Sequence, residues 1–278
     1  MPGATSILRR LFRAVGERHQ ARELDRFQPR LRFDSDAPVL LLSPHWDDAV
    51  LDCWGLLTES TALNVVNIFA GAPAAGTVTM WDAITGASDS AQRTRERLAE
   101  DALALGQAGR TPINLPLLDA QYRGGAPALR LEDLDLALSE HVPAASSVLA
   151  PAGIGAHPDH LFARRYARAL LATGMPVSLY AELPYCVLHG WPSWVDGRQA
   201  ESNRDVDVFW RSFLSQFAEL GELRAAQVRR LDDVQAAEKL EAMSRYRTQL
   251  PALSYGARGL LEDPEIHRFE VIWRLRPR

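Results

Sequence analysis

Short apolar runs, each closed by proline or glycine, alternate along this chain with segments of helical periodicity. That alternation leaves few folds open. The runs are Pro38-Val-Leu-Leu-Leu-Ser43, followed by Pro44; Asn64-Val-Val-Asn-Ile-Phe69, ahead of Gly71; Ser146-Ser-Val-Leu-Ala150, ahead of Pro151; and Val177-Ser-Leu-Tyr-Ala181. Each is too short for a helix and too uniformly apolar for a strand wetted on one face, which marks strands covered on both sides. Phe269-Glu-Val-Ile-Trp-Arg-Leu275 reads as a late strand. Between the runs, 48–57 carries Val50, Leu51, Trp54 and Leu57 on one face, and 90–105 carries Leu98, Ala102 and Leu105 ahead of Gly106. A third helix, 158–173, begins with Pro158 in its first turn and stops at Gly174. The pattern predicts an α/β fold with a mostly parallel sheet flanked by helices. Residues 205–250 read as a mainly helical C-terminal accessory region, and 185–204, rich in Trp, Pro, Gly and Ser, as an irregular loop.

No internal repeat and no linker divide residues 38–278, which read as one α/β catalytic domain. Residues 1–37 read as an N-terminal basic amphipathic helix and connector: Ile7, Leu8, Leu11, Phe12 and Val15 recur at helical spacing between Arg9, Arg10, Arg13 and Arg18. Such a helix docks on its own domain with a solvated arginine face, or meets a partner or a membrane surface. No run of 18 apolar residues occurs, so no membrane span is expected, and no apolar stretch follows the first arginines as in a signal peptide. A net charge of −4 argues against a bulk electrostatic grip on nucleic acid. The two cysteines, Cys53 and Cys186, form no CxxC pair and fit reduced thiols of a cytoplasmic protein. Only one of the 31 basic residues is a lysine, Lys239, and it follows Glu238 rather than a glycine, which excludes a P-loop.

Two junctions carry chemistry. Ser43-Pro-His-Trp-Asp-Asp48 follows the first buried run and opens a helix. The carboxyl ends of strands in an open α/β sheet are where ligands bind. Adjacent carboxylates repel each other, and a divalent cation removes that penalty. His and Asp are ligands for zinc or a similar metal. The competing reading is a helix cap, which needs one carboxylate and no histidine. His157-Pro-Asp-His160 repeats the arrangement after the third run and the turn Gly153-Ile-Gly155. The isolated His19, His141, His189 and His267 read as ordinary core or surface residues. No GxSxG elbow and no HExxH occurs, and the turn at Gly153 lacks the third glycine of GxGxxG. Trp191, Trp194 and Trp210 read as packing or as platforms for sugar faces.

Together the two motifs resemble the PHxDD and HPDH signatures of the PIG-L (LmbE-like) family of zinc-dependent N-deacetylases. Arg93-Thr-Arg-Glu96 running to Leu105-Gly106 is similar to that family's R-x-x-E helix, and Lys239 to Gln249, with Tyr246 and Thr248, to its late K…Y-x-S-Q segment. Trp81-Asp82 and Glu182-Leu-Pro-Tyr185 resemble a bacterial branch. The resemblance spans roughly residues 38–250. It implies a Rossmann-like fold and removal of an N-acyl group, usually acetyl, from an amino sugar such as N-acetylglucosamine or its conjugate. By the same resemblance His45, Asp48 and His160 would bind one Zn2+, Asp47 would be the general base, and His157 would stabilise or protonate the developing charge. Asp159 would orient His157, and Arg93 and Trp46 would be candidates for touching substrate. The chain departs from the family at Ala49, where an acidic residue is common, at Trp46, where proline is common, and at Gly155, where some members carry a tyrosine. Two rival readings keep the metal: an amidase acting on a thiol conjugate or other non-sugar amide, and a noncatalytic interaction protein stapled by a closed four-ligand site. The expected partner is a small N-acylated molecule, with an oligomer possible and nucleic acid excluded.

Overall fold

The structure, a computed structural model, describes residues 38–60, 62–124, 128–188, 190–197, 206–217, 227–257 and 259–276. The expected helix in 1–37 lies outside the described residues. Seven strands form one sheet in the order β3-β2-β1-β4-β5-β7-β6. They are β1 (Val39–Ser43), β2 (Leu63–Asn67), β3 (Ile113–Asn114), β4 (Ser147–Pro151), β5 (Val177–Tyr180), β6 (Gln227–Arg230) and β7 (Phe269–Arg274). The first five run parallel, while β7 is antiparallel to both β5 and β6. The expected mostly parallel α/β sheet is therefore present.

Leucines at 40, 41 and 42 are buried because helices cover both faces of the central strands. Helix α1 (Asp48–Glu59) follows β1 and is buried from Asp48 through Leu57. Helices α2 (Met80–Ile84) and α3 (Ser90–Gln107) follow β2, and α4 (Leu131–Ala137) precedes β4. Helix α5 (Pro158–Ala172) follows β4, with proline in its first turn as expected. Short helix α6 (Ser193–Asp196) and helix α7 (Val206–Leu214) lead toward β6, and α8 (Asp233–Met243) and α9 (Leu250–Gly256) precede β7.

The chain leaves β1 toward β2 and β3 on one side, then returns to place β4 and β5 on the other. Strands β1 and β4 are therefore neighbours whose following loops diverge, and a crevice opens at their carboxyl ends. Both histidine motifs begin there.

Two expectations change. Residues 205–250 contain β6 as well as helices. Its sequence, Gln-Val-Arg-Arg, is too polar to read as a strand, because it lies at the sheet edge and buries little of its length. Within 185–204 the structure has a 3-10 turn at Tyr185–Val187 and α6, and residues 198–205 lie outside the described set. The tryptophans near this segment pack together. Trp191 and Trp273 each stack on Trp210 at 6.1 Å, and Trp194 meets Trp210 edge-on.

Candidate metal centre

The turn after β1 is closed by its own side chains. Ser43 Oγ donates to the His45 carbonyl (2.6 Å) and accepts from the Ala49 amide (3.1 Å), while the His45 amide donates to Asp48 Oδ2 (2.7 Å). Asp47 occupies the N-cap position of α1, yet its side chain makes no capping hydrogen bond. The helix-cap reading therefore does not account for Asp47. From behind, Tyr246 donates to the Trp46 carbonyl (3.1 Å), and Asp101, at 2.9 Å from that hydroxyl, is held by Asn67 (2.7 Å). At the second junction His157 caps α5, and its Nδ1 accepts from the Asp159 amide (3.3 Å).

The two junctions meet although their histidines are 115 residues apart. His45 Nδ1 lies 3.4 Å from His160 Nε2. Asp48 Oδ2 is 3.5 Å from the former and Asp48 Oδ1 is 3.5 Å from the latter. Bonds of about 2.0–2.2 Å arranged tetrahedrally separate neighbouring donors by about 3.3–3.6 Å. The spacings are of the size that donors around a zinc-sized cation have, with a different Asp48 oxygen nearest each histidine. The His157 ring stands beside them, 4.9 Å from that of His45 and 5.3 Å from that of His160. Nitrogens of His45, His157 and His160 lie within 4.8 Å of one another.

The far nitrogen of each facing histidine meets a buried carboxylate. His45 Nε2 is 3.1 Å from Asp159 Oδ2 and 3.9 Å from Asp119 Oδ2, and His160 Nδ1 is 3.2 Å from Glu182 Oε1. A carboxylate on one nitrogen holds the proton there and leaves the other nitrogen's lone pair for a metal. The free nitrogens are then the two that face each other. Asp159 is fixed by the Ala120 amide (2.9 Å) and Arg123, and Glu182 by the amides of Gly153 and Ile154. This corrects the expectation for Asp159: its carboxylate serves His45, and only its backbone amide reaches His157.

Charge is arranged accordingly. Burial alone would lower the pKa of His45 and of His160. For His45 that effect is outweighed by Asp159 and Asp48, for His160 by Asp48 and Glu182, and both stand raised. Burial would raise Asp48, but His160 and His45 hold it below the usual carboxylate range. Asp47, by contrast, is pushed up to about 6, by burial first and then by the charge of Asp48. His157 is lowered to about 4, by burial and then by His45 and His160.

A cavity of about 310 Å3 opens over this centre. Trp46, Asp47, Asp48, His45, His157 and His160 line it, as the motifs lead one to expect. Arg93 does not. It is buried, its Nη2 donating to the Thr85 carbonyl (2.9 Å) and its Nη1 lying 3.3 Å from Glu96. The arginine in the wall is Arg97, one turn on, paired with buried Asp82 at 2.9 Å. The pattern R-x-x-E occurs twice in succession, as Arg93–Glu96 and Arg97–Glu100, and it is the arginine of the second copy that lines the cavity. Glu100 accepts from the Thr248 hydroxyl (2.8 Å), which ties α3 to the late segment. Trp81, Asp119, Gln121, Leu183, Tyr185, Gln249 and Leu253 complete the lining. Of these, Trp81, Leu183, Tyr185 and Gln249 fall in stretches quoted for the resemblance, whereas Asp119, Gln121 and Leu253 carried no sequence signal.

No protein-family model matches the sequence, and no curated protein matches it. Solved structures do. The chain is similar to the A40926 pseudoaglycone deacetylase Dbv21, with 26% identity and a TM-score of 0.57, over 86% of this chain and 98% of that one. It is similar to the zinc-inhibited form of teicoplanin deacetylase Orf2, with 21% identity and a TM-score of 0.60, over 86% and 97%. It shares the fold of the N,N'-diacetylchitobiose deacetylase from Pyrococcus horikoshii, with 16% identity and a TM-score of 0.50, over 99% and 94%. The neighbours are deacetylases, and the fold expected from the PIG-L (LmbE-like) resemblance is the fold they share with this chain.

Proposed function

We propose that this protein is a zinc-dependent N-deacetylase of the PIG-L (LmbE-like) type, releasing acetate from the nitrogen of an amino sugar carried on a larger conjugate. The observation that carries this reading is the donor triangle of His45, Asp48 and His160 beside the carboxylate of Asp47, which does not cap its helix. A structural metal site has no use for that extra carboxylate, which counts against a noncatalytic interaction protein. The structural neighbours point the same way, being deacetylases of teicoplanin, A40926 pseudoaglycone and N,N'-diacetylchitobiose.

His45, Asp48 and His160 would hold the cation, which when bound supplies Lewis-acid activation of a water and of the acyl carbonyl. Asp47 takes the water's proton; a carboxylate raised to about 6 is ionised at neutral pH yet basic enough to accept it. His157 Nδ1 already accepts the Asp159 amide, so the neutral ring carries its proton on Nε2. It donates that hydrogen bond to the carbonyl oxygen as negative charge builds there. Asp47 then returns its proton to the departing amine. The Asp159 and Glu182 carboxylates keep both imidazoles in the binding tautomer throughout. Arg97 and Trp46 border the sugar. The buried free thiols of Cys53 and Cys186 fit a cytoplasmic setting.

The test is acetate release by zinc-reconstituted protein from N-acetylglucosamine, N,N'-diacetylchitobiose and a glycoside with a bulky aglycone. N-acetyl amino acids and N-acylated thiol conjugates serve as competitors. Turnover confined to the sugars supports the reading. Turnover confined to the competitors replaces it with an amidase, and bound zinc without any turnover refutes it.

A further inference from the structure

Gly155 lies in the loop between β4 and α5, two residues before His157. A Cβ built on it would sit 2.1 Å from Cδ1 and 2.3 Å from Cγ of Tyr185. Such distances do not occur between real atoms, so the Tyr185 ring occupies the space that any side chain at 155 would need. The ring is half-buried, lines the cavity over the metal centre, and meets His160 edge-on at 5.6 Å. Among the described residues its hydroxyl has no hydrogen-bond partner. Burial, and then the charges of Asp48, Asp47, Glu182 and Asp119, raise the pKa of the phenol, so it stays a neutral donor.

Its position is well fixed. Tyr185 lies three residues after Glu182, whose carboxylate orients His160. Between them the Leu183 amide is held by buried Asp52 (2.7 Å), and the Cys186 amide by the Glu182 carbonyl (2.8 Å). One anchored segment thus orients a histidine of the donor set and presents a phenol to the same cavity.

We propose that Tyr185 is a catalytic residue whose hydroxyl donates a hydrogen bond to the acyl carbonyl oxygen of the substrate, using the space that Gly155 leaves open. The inference rests on the deacetylase reading above. The phenol keeps its proton throughout, and no covalent bond forms or breaks at Tyr185. Two donors, His157 and Tyr185, then approach the oxygen from different elements. Removing one donor of such a pair costs about 10²–10³-fold in turnover.

Tyr185→Phe keeps the ring and its packing, so the variant should fold and bind zinc as the wild type does. The expected result is a kcat about 10²-fold lower with KM within about threefold, since the bond strengthens only as charge develops. An unchanged kcat, or a rise in KM alone, would overturn the proposal and leave Tyr185 a packing or ground-state contact. Gly155→Ala should push the ring aside and lower kcat comparably, and full activity in that variant also counts against it. If the wild type turns over no amide at all, the deacetylase reading fails on its own. Tyr185 is then judged by calorimetric binding of acetohydroxamate to the zinc-loaded protein. At least tenfold weaker binding to Tyr185→Phe supports the donor, and equal binding overturns it.

Discussion

Asp47 and Asp48 are neighbours with the same side chain and opposite electrostatics. Asp48 is surrounded by His45 and His160 and is held below the usual carboxylate range; at Asp47 burial and its neighbour's charge outweigh the lowering by His45 and Arg97, and it is raised. Asp47→Asn should therefore keep about one zinc per chain and lose kcat by about 10²–10⁴-fold, the worth of a positioned base. Metal analysis alongside turnover checks this, and wild-type turnover would remove Asp47 from the mechanism. The carboxylates behind the histidines act differently. Asp159→Asn and Glu182→Gln should weaken zinc affinity by about 10–100-fold, because the far imidazole nitrogens lose the charge that fixes their tautomers. Competition against a chelating indicator measures it.

At the scale of elements, the way α3 lies against the cavity decides which arginine lines it. Its side chains repeat every 3.6 residues, so Arg93 and Arg97 lie on nearly the same stripe one turn apart. Tertiary position then turns the first toward Thr85 and the second toward the cavity. Arg97→Lys should lower kcat/KM by about 10–100-fold, since a lysine cannot reproduce the guanidinium fork. Arg93→Lys should leave kcat/KM within about twofold, and equal losses in the two variants would contradict the assignment. Away from the centre, Lys239 on α8 is fully buried and pairs with Glu270 of β7 at 3.3 Å, and the same carboxylate accepts the Gly55 amide of α1. Lys239→Met leaves that carboxylate without its cation and should cost about 3–5 kcal/mol in urea unfolding, with zinc content unchanged.

For the whole molecule, a cation held by His45, Asp48 and His160 would link metal binding to folding, because those donors come from two loops more than 100 residues apart that only the folded sheet brings together. Zinc at about 100 times its dissociation constant should stabilise the fold by about 2.7 kcal/mol, raising Tm by about 5–11 °C for a domain of this size. His45→Ala should show much less of that shift in calorimetry, and an equal shift would place the bound zinc elsewhere.

Four of the five parallel strands, the helices at 48–59, 90–107 and 158–172 and the two His/Asp junctions were legible in the sequence because each rests on local chemistry, whereas β3, only Ile113–Asn114, was not. Continuous apolar runs, prolines at helix starts and paired donors are written within ten residues of one another. His45, Trp46, Asp47, Asp48 and His160 lie in those stretches, and their separate roles come from the family resemblance. What only the tertiary structure decided depends on contacts between distant segments. Edge strand β6 is polar because one side of it faces no neighbour, so its sequence carries no strand pattern. The choice of Arg97 over Arg93 follows from how α3 lies against the cavity. The partner of Asp159 is His45 rather than His157, because the loop holding Ala120 and Arg123 turns that carboxylate away from its own helix. Gly155 reads in sequence as a missing side chain. In the folded protein its place is filled by Tyr185, thirty residues on, since the absence of a Cβ at one position has meaning only through the atoms that take its space.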